Sequence, residues 1–239
     1  MLARSPCQTW SVEPLSERAR SHKRMRTSRL QAVRLYLVCG RQDDRFLKAA
    51  LRGGVDIVQL RLKEASDQEI ISTSRRFARV CAAQGALFIL NDRPDLVAEG
   101  AADGVHVGQD DMPVGQARAL VGPDRLVGLS THSQPQIDAA DETEAVDYIG
   151  VGPVYETPTK PGRVAVGLDA VRYAAARAAT PFFAIGGIDE RTVVSVVAAG
   201  ARRVAVVRAL VDAPDPEAAA RRLRQALEGK REAIGAAQS

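Results

Sequence analysis

The chain has 239 residues, of which 46% are apolar and 26% charged, a balance typical of a globular protein with a buried core and not of a disordered or membrane-embedded chain. The formal net charge is +4, yet the first 30 residues carry seven basic and two acidic side chains, which leaves 26 basic against 27 acidic in the remainder. Because the positive charge lies in one terminal stretch and not across a domain face, nucleic-acid binding is not expected.

The sequence also argues against a membrane or secreted protein. It contains no run of about 18 apolar residues, and its N-terminus lacks the apolar centre of a secretory signal. Cys7, Cys39 and Cys81 are far apart, without a Cys-x-x-Cys pair or a nearby histidine pair, which argues against disulfides and a zinc site. We therefore expect a cytoplasmic protein.

Predicted elements begin after a polar, Arg- and Ser-rich stretch without periodicity, residues 1–30, which is predicted to be a disordered basic extension. From Leu35 onward, short β-branched runs alternate with amphipathic segments. The predicted strands are residues 35–39, 55–60, 87–90, 104–107, 126–130, 147–151, 181–185 and 203–207. We place one catalytic domain at 31–229 and a C-terminal tail at 230–239.

Strand–helix alternation predicts parallel pairing, and eight units in about 200 residues suit a closed (β/α)8 TIM barrel of the α/β class. An open, doubly wound sheet is the alternative, because periodicity does not show closure. A barrel also requires polar chemistry just after the strands, where the βα loops form the active face. The sequence meets this requirement.

The second predicted strand continues into Gln59, Arg61 and Lys63, which share one face by their spacing of two. Two cations at a strand end are costly to desolvate unless an anion meets them, which favours a phosphate or diphosphate site. A strand end that opens into solvent is the alternative.

The third and fourth predicted strands are followed by carboxylates, in Asn91-Asp92 and Asp110-Asp111. Carboxylates at neighbouring strand ends can share one Mg²⁺, whose remaining ligands are water and substrate phosphate. Each aspartate could instead cap a helix.

The later loops carry further candidates. Ser130 precedes a predicted helix and suits either anion binding or capping, whereas His132 has no visible partner and is left out of the catalytic set. A long loop punctuated by Gly and Pro, residues 150–162, suits an active-site lid or a solvated loop. Gly186-Gly187 and Val207-Arg208 follow the seventh and eighth strands, where such barrels commonly seat a phosphate.

The order of these loops resembles that of thiamine-phosphate synthases over residues 35–228. The matching stretches are residues 35–38, 58–63, 91–93, 103–111, 128–130, 152–160 and 184–188. Several are weak individually, but their joint order around eight strand ends is specific.

The resemblance implies a transferase that joins an aminopyrimidine diphosphate to a thiazole phosphate by a dissociative route through a pyrimidine-methyl cation. It implies that the diphosphate substrate contacts Gln59, Arg61, Lys63, Asn91, Ser130 and Lys160, of which Arg61, Lys63, Ser130 and Lys160 form the predicted catalytic set. It implies Mg²⁺ as the cofactor, on Asp92 and Asp111. The resemblance also places Thr157 and Thr159 near the thiazole and its phosphate, and implies that Gly187 and the amides of Val207 and Arg208 hold that phosphate. Arg208 departs from the small polar residue often found there.

Two other functions remain open at this point. A thiazole tautomerase on the same barrel would need one phosphate site but has little use for a metal and for so many diphosphate contacts. A non-catalytic barrel that binds a phosphorylated ligand is the third hypothesis. The oligomeric state and the presence of a carboxylate on the thiazole are left open by the sequence.

Overall fold

The computed structural model describes residues 17–157 and 164–236, and in these ranges eight strands alternate with helices. The strands are β1 (Leu35–Cys39), β2 (Ile57–Leu60), β3 (Leu87–Asn91), β4 (Gly104–Val107), β5 (Leu126–Thr131), β6 (Tyr148–Val151), β7 (Phe182–Ile185) and β8 (Val204–Val206). The helices are α1 (Glu17–Ser28), α2 (Asp44–Arg52), α3 (Asp67–Ala83), α4 (Val114–Val121), α5 (Gln134–Asp141), α6 (Gly167–Arg177), α7 (Val193–Ala198), α8 (Arg208–Val211) and α9 (Pro216–Ala236), with a short 3-10 helix (Pro94–Leu96) between β3 and β4.

The strands form one closed parallel barrel in the order β1 to β8. Closure is made by β1 and β8, which pair with Leu35 opposite Val204 and Leu37 opposite Val206. The predicted TIM barrel is therefore confirmed, and the open sheet is excluded because neither β1 nor β8 has a free edge. Parallel pairing also brings every strand's carboxyl end to the same side of the barrel, which is the condition for one shared site.

Two apolar layers hold the barrel together. Residues that point outward from the strands, such as Val58, Val105 and Val127, are fully buried beneath the helices. Residues that point inward form a second cluster around Tyr36, whose ring meets Phe183 edge-to-face with centroids 5.2 Å apart. This inner cluster forms the floor of a cavity at the carboxyl ends of the strands.

Three aspartates repeat around the opposite end of the barrel, each directly before an even-numbered strand. The Asp56 carboxylate accepts from the Leu35 N–H, at 3.0 Å, at the start of β1. Asp103 accepts from the Phe88 N–H in β3 at 2.9 Å, and Asp147 accepts from the Val127 N–H in β5 at 2.8 Å. Each carboxylate thus ties an even-numbered strand to the strand before it.

Helix α1 and the segment after it close the same end of the barrel. Leu30 is fully buried with Val33 in the inner cluster, and Arg26, only 4% exposed, donates from Nε to Asp147 Oδ1 at 2.8 Å. The structure differs here from the predicted disordered extension, because from Glu17 onward the segment is helical and finds buried partners far away in sequence. Residues 1–16 lie outside the described residues.

The C-terminal boundary also differs from the expectation. Helix α9 packs on α2 and α7 and continues to Ala236, so residues 230–236 of the predicted tail belong to this helix. Among the helices of the described ranges, none has the length and apolar character needed to cross a membrane. Cys39 and Cys81 are buried free thiols, and burial raises the pKa of each to about 12.

Candidate active site

A cavity of about 350 Å³ opens at the carboxyl ends of the strands, above the inner aromatic cluster. Its wall contains most of the residues that the sequence selected, namely Gln59, Arg61, Asn91, Ser130, Thr157, Gly187, Val207 and Arg208. The polar residues on β2, β3 and β5 and the turns after β7 and β8 therefore face one shared space.

Other predicted residues lie elsewhere. Lys63 is exposed and is absent from the cavity wall, because β2 ends at Leu60 and the alternation that orients Gln59 does not extend to it. Thr159 and Lys160 lie outside the described residues.

Asp92 and Asp111 are brought together as the neighbouring strand ends predict. Asp92 has a left-handed backbone, with φ of 59°, and its N–H donates to the His106 carbonyl oxygen at 2.8 Å. Asp111 accepts from the Gly108 N–H at 2.8 Å, and its carboxyl group is in hydrogen-bonding contact with that of Asp92. Burial, followed by Asp111, raises the pKa of Asp92 to about 6, while Asn91 and Arg61 act in the opposite direction.

This carboxylate pair is suited to a hard divalent cation. Two converging carboxylates repel each other when both are ionised, and a cation between them removes that repulsion. No cluster of three or more His, Cys, Asp or Glu side chains suited to a metal occurs within the ranges that the structure covers. Two carboxylates with oxygens from water and substrate nevertheless meet the needs of Mg²⁺.

Arg93 holds the loop that carries Asp92. Its guanidinium bonds Asp95 in the same loop, at 2.6 Å from Nη2, and Asp67 at the start of α3, at 2.6 Å from Nη1. These contacts raise the pKa of Arg93 and lower the pKa of Asp67 and Asp95. The β3 loop is thereby fastened to the helix that follows β2, beside Arg61.

The turn after β7 requires glycine at two positions. Gly186 and Gly187 have φ values of 104° and 64°, in the left-handed region that L side chains disfavour. A Cβ on Gly187 would lie 2.6 Å from the Cβ of Tyr155, and one on Gly186 would lie 2.5 Å from the Pro153 Cα. The loop after β6 lies so close to this turn that neither position has room for a side chain.

Several cavity residues were missed by sequence reasoning. Tyr36, His106 and Tyr148 point inward from β1, β4 and β6 and line the cavity floor. Their inward positions follow from the alternation in each strand, but a lone histidine or tyrosine in a buried strand reads as core. His132 also lies in the cavity wall, where its Nδ1 is hydrogen-bonded to the Gly152 carbonyl oxygen.

The raised pKa of Asp92 gives a stability prediction. A carboxyl group whose pKa rises on folding favours the folded state below its unfolded pKa and loses that advantage as pH passes its folded pKa. Metal-free Asp92→Asn protein should therefore be more stable than the unchanged protein at pH 8, by about 1–2 kcal/mol after allowance for solvent screening, with a smaller gain at pH 5. Asparagine also tolerates the left-handed backbone. Urea unfolding in a chelator at both pH values measures this difference, and an equal gain at both would contradict it.

Taken together, the Arg61 guanidinium and side-chain amides on one wall and glycine-containing turns on the other, at the active face of a closed barrel, define an enzyme that acts on small molecules. The chain belongs to the thiamine monophosphate synthase family, whose model matches residues 35–210, and is therefore a transferase. The resemblance inferred from the loops is thus confirmed.

Individual relatives agree with this placement. The thiamine-phosphate synthase of Acidothermus cellulolyticus is 52% identical over 197 residues, which cover 80% of this chain and 93% of that protein. The thiamine-phosphate synthase of Thermosynechococcus vestitus is 45% identical over 90% of this chain, which spans only 60% of that longer protein. The solved thiamine phosphate pyrophosphorylase of Pyrococcus furiosus superposes with a TM-score of 0.76 at 27% identity, covering 86% of this chain and 98% of its own.

Proposed function

We propose that this chain forms thiamine phosphate by joining an aminopyrimidine-methyl diphosphate to a thiazole phosphate, with release of diphosphate. The observation that carries the proposal is the presence of two walls suited to anions around one cavity. Arg61, Asn91 and Ser130 lie on one wall, while Gly187 and Arg208 lie at the turns of the other. Such an arrangement suits a reaction in which two phosphorylated molecules meet.

The wall formed by β2 to β5 is the better match for the diphosphate. Arg61 is half-buried there and lies close enough to Asp92 to lower the pKa of that carboxyl group. A guanidinium offers a planar set of donors that fits phosphate oxygens, and Gln59, Asn91 and Ser130 add neutral donors beside it. Lys63 and Lys160 remain part of the proposal as further cations for this substrate.

Asp92 and Asp111 would hold Mg²⁺ beside the same wall. The bound ion would supply positive charge to the diphosphate as it leaves. Arg93 would keep the Asp92 loop in place, because it bonds to both Asp67 and Asp95.

The proposed reaction requires the protein to stabilise charge and to exclude water. The bond between the pyrimidine methylene carbon and the diphosphate oxygen breaks first, and the electron pair leaves with diphosphate. The thiazole nitrogen then donates its lone pair to the cationic carbon and forms the new C–N bond, so no base has to remove a proton from carbon. Donors such as Arg61 and Ser130 would stabilise the departing oxygen, while Tyr36, Tyr148 and Phe183 would exclude water from the cation.

A direct assay tests the proposal. The purified protein is incubated with both phosphorylated heterocycles and Mg²⁺, and thiamine phosphate and diphosphate are quantified against reactions lacking either substrate. Stoichiometric formation of both products is expected. Conversion of the thiazole alone would favour a tautomerase, and binding without turnover would favour a ligand-binding barrel.

The two walls can be separated by paired variants. Arg61→Ala should raise KM for the pyrimidine diphosphate by about 10- to 150-fold, the equivalent of a lost charged hydrogen bond. Gly187→Ala should raise KM chiefly for the thiazole phosphate, because its new Cβ meets Tyr155 and strains the turn. Initial rates with each substrate varied in turn measure both effects. A reversed pattern would show that the two substrates are assigned to the wrong walls.

A further inference from the structure

A chain of hydrogen-bonded polar side chains crosses the cavity floor and joins five strands. Gln59 Nε2 donates to the Tyr36 hydroxyl at 2.7 Å, and the Tyr36 and Tyr148 hydroxyl oxygens are 3.0 Å apart. The Tyr148 hydroxyl lies 3.3 Å from Nδ1 of His106, whose Nε2 lies 3.0 Å from Ser130 Oγ. We refer to these five residues as the floor relay.

The floor relay has a direction that follows from the number of hydrogens on each group. The Tyr36 oxygen accepts from Gln59, so its single hydrogen is available for the Tyr148 oxygen. Tyr36 is only 2% exposed, and a buried hydroxyl without an acceptor is costly. The hydrogen of Tyr148 is then directed at His106 Nδ1.

This direction selects one form of the imidazole. If Nδ1 of His106 accepts from Tyr148, the neutral ring carries its hydrogen on Nε2 and donates it to Ser130 Oγ. Ser130 Oγ is then an acceptor on the floor side, and its own hydrogen is free to point into the cavity that the residue lines.

We propose that His106 is a positioning residue which, in its Nε2–H form, turns the Ser130 hydroxyl so that it donates to the diphosphate substrate. The identity of that substrate rests on the proposed function, whereas the direction of the relay rests on the contacts alone. A donor already aimed at developing negative charge needs no reorientation during the reaction, which is the advantage of a preorganised site.

The opposite direction defines the alternative. It would place the Gln59 side-chain oxygen, in place of its nitrogen, beside Tyr36 and the hydrogen of His106 on Nδ1. Ser130 would then donate its only hydrogen to His106 and could offer the substrate nothing but acceptor lone pairs. An anionic substrate would be repelled by these lone pairs. The two directions therefore differ in one observable feature, the protonated nitrogen of His106.

Nitrogen NMR of the full-length protein labelled with 15N-histidine tests the direction without any substrate. The chain has three histidines, and a His106→Gln variant identifies the signals of His106 by their loss. Hydrogen on Nε2 and a bare Nδ1 are expected at neutral pH. Hydrogen on Nδ1 would overturn the proposal.

Kinetics test whether the orientation matters through Ser130. His106→Leu should lower kcat by about 10- to 100-fold, a smaller decrease than the complete loss of an oxyanion donor would cause. It should change KM for the thiazole phosphate by no more than about twofold. His106→Gln should recover most of the loss, because its amide offers an acceptor and a donor in a comparable arrangement. In a Ser130→Ala background the His106→Leu change should add less than about twofold. Multiplicative effects of the two changes would overturn the proposal.

Two further variants provide a fallback and a control for these kinetic measurements. If His106→Leu does not fold, Tyr148→Phe breaks the relay one step earlier while keeping the ring, and its effect should likewise disappear in the Ser130→Ala background. Tyr173→Phe is the matched control, since it removes a hydroxyl that bonds Asp138 on the exterior at 2.8 Å and should leave turnover unchanged. If the unchanged protein makes no thiamine phosphate, the proposed function fails, yet the NMR result still decides the direction of the relay.

Discussion

Replacing Asp111 with asparagine is expected to lower turnover by about 10²-fold or more. The change keeps the shape of the side chain but removes one of two carboxylates that meet beside Arg61, and with it the charge proposed to hold Mg²⁺. Asp92→Asn should have a similar effect on activity, although it should stabilise the metal-free protein, most strongly above pH 6. Opposite effects on activity and stability are what a functional carboxylate pair predicts.

The matched control for this prediction is Asp110→Asn, which makes the same change of charge one residue away. Mg²⁺ titration followed by calorimetry, together with steady-state rates, separates weaker metal binding from slower chemistry. Full activity of the unchanged protein in excess chelator would show that the metal assignment is wrong, as would equal losses in the Asp110 and Asp111 variants.

Asp147→Ala is expected to cost about 3–5 kcal/mol of folding free energy. Asp147 is fully buried and accepts from Arg26 at 2.8 Å, from Arg118 at 2.5 Å and from the Val127 N–H at 2.8 Å. Burial lowers the pKa of Arg118 while Asp147 raises it, so without this carboxylate two guanidinium groups would face each other in a low-dielectric site. Urea unfolding should show the loss, with a fall in Tm on the order of 10 °C.

Asp103→Ala provides the comparison, because Asp103 occupies the same position before β4 and accepts from the Phe88 N–H in the same way. Its partner Arg29 is 38% exposed, so this variant should lose only about 1–2 kcal/mol. Equal losses for the two aspartates would mean that burial of the charge contributes nothing at Asp147.

The barrel was predictable because its signals are local. The limits of the eight predicted β-branched runs lie within two residues of those of the observed strands. Helix α1 was missed because its order depends on Arg26 meeting Asp147, 121 residues away, and on Leu30 entering the barrel. Such partners are set by the closed fold and not by any window of sequence.

In the candidate site, too, the residues with local signals were predicted and those that depend on distant contacts were not. Gln59 and Asn91 were found because polar residues at strand ends stand out against apolar neighbours, and Asp92 meets Asp111 because adjacent parallel strands end side by side. Lys63 was expected to share the face of Gln59 because the alternation was extended beyond the end of β2, where it no longer applies. His106 was overlooked because its importance lies in its contacts with Tyr148 and Ser130.

The repeated aspartates have a consequence for how the barrel can be cut and rejoined. Because the carboxylates of Asp56, Asp103 and Asp147 each bond an even strand to its predecessor, these side chains link the first six strands in three pairs, which we call modules. In the fourth, the equivalent position is Arg203, whose guanidinium donates to the Leu30 carbonyl at 3.3 Å and so fastens the last module to the entering chain. New termini placed between modules, in the Gln84–Gly85 turn, would leave every tie within a continuous stretch of chain. Termini placed at Gly53–Gly54 would divide the first module and leave Asp56 to recruit β1 from the far end of a rearranged polypeptide.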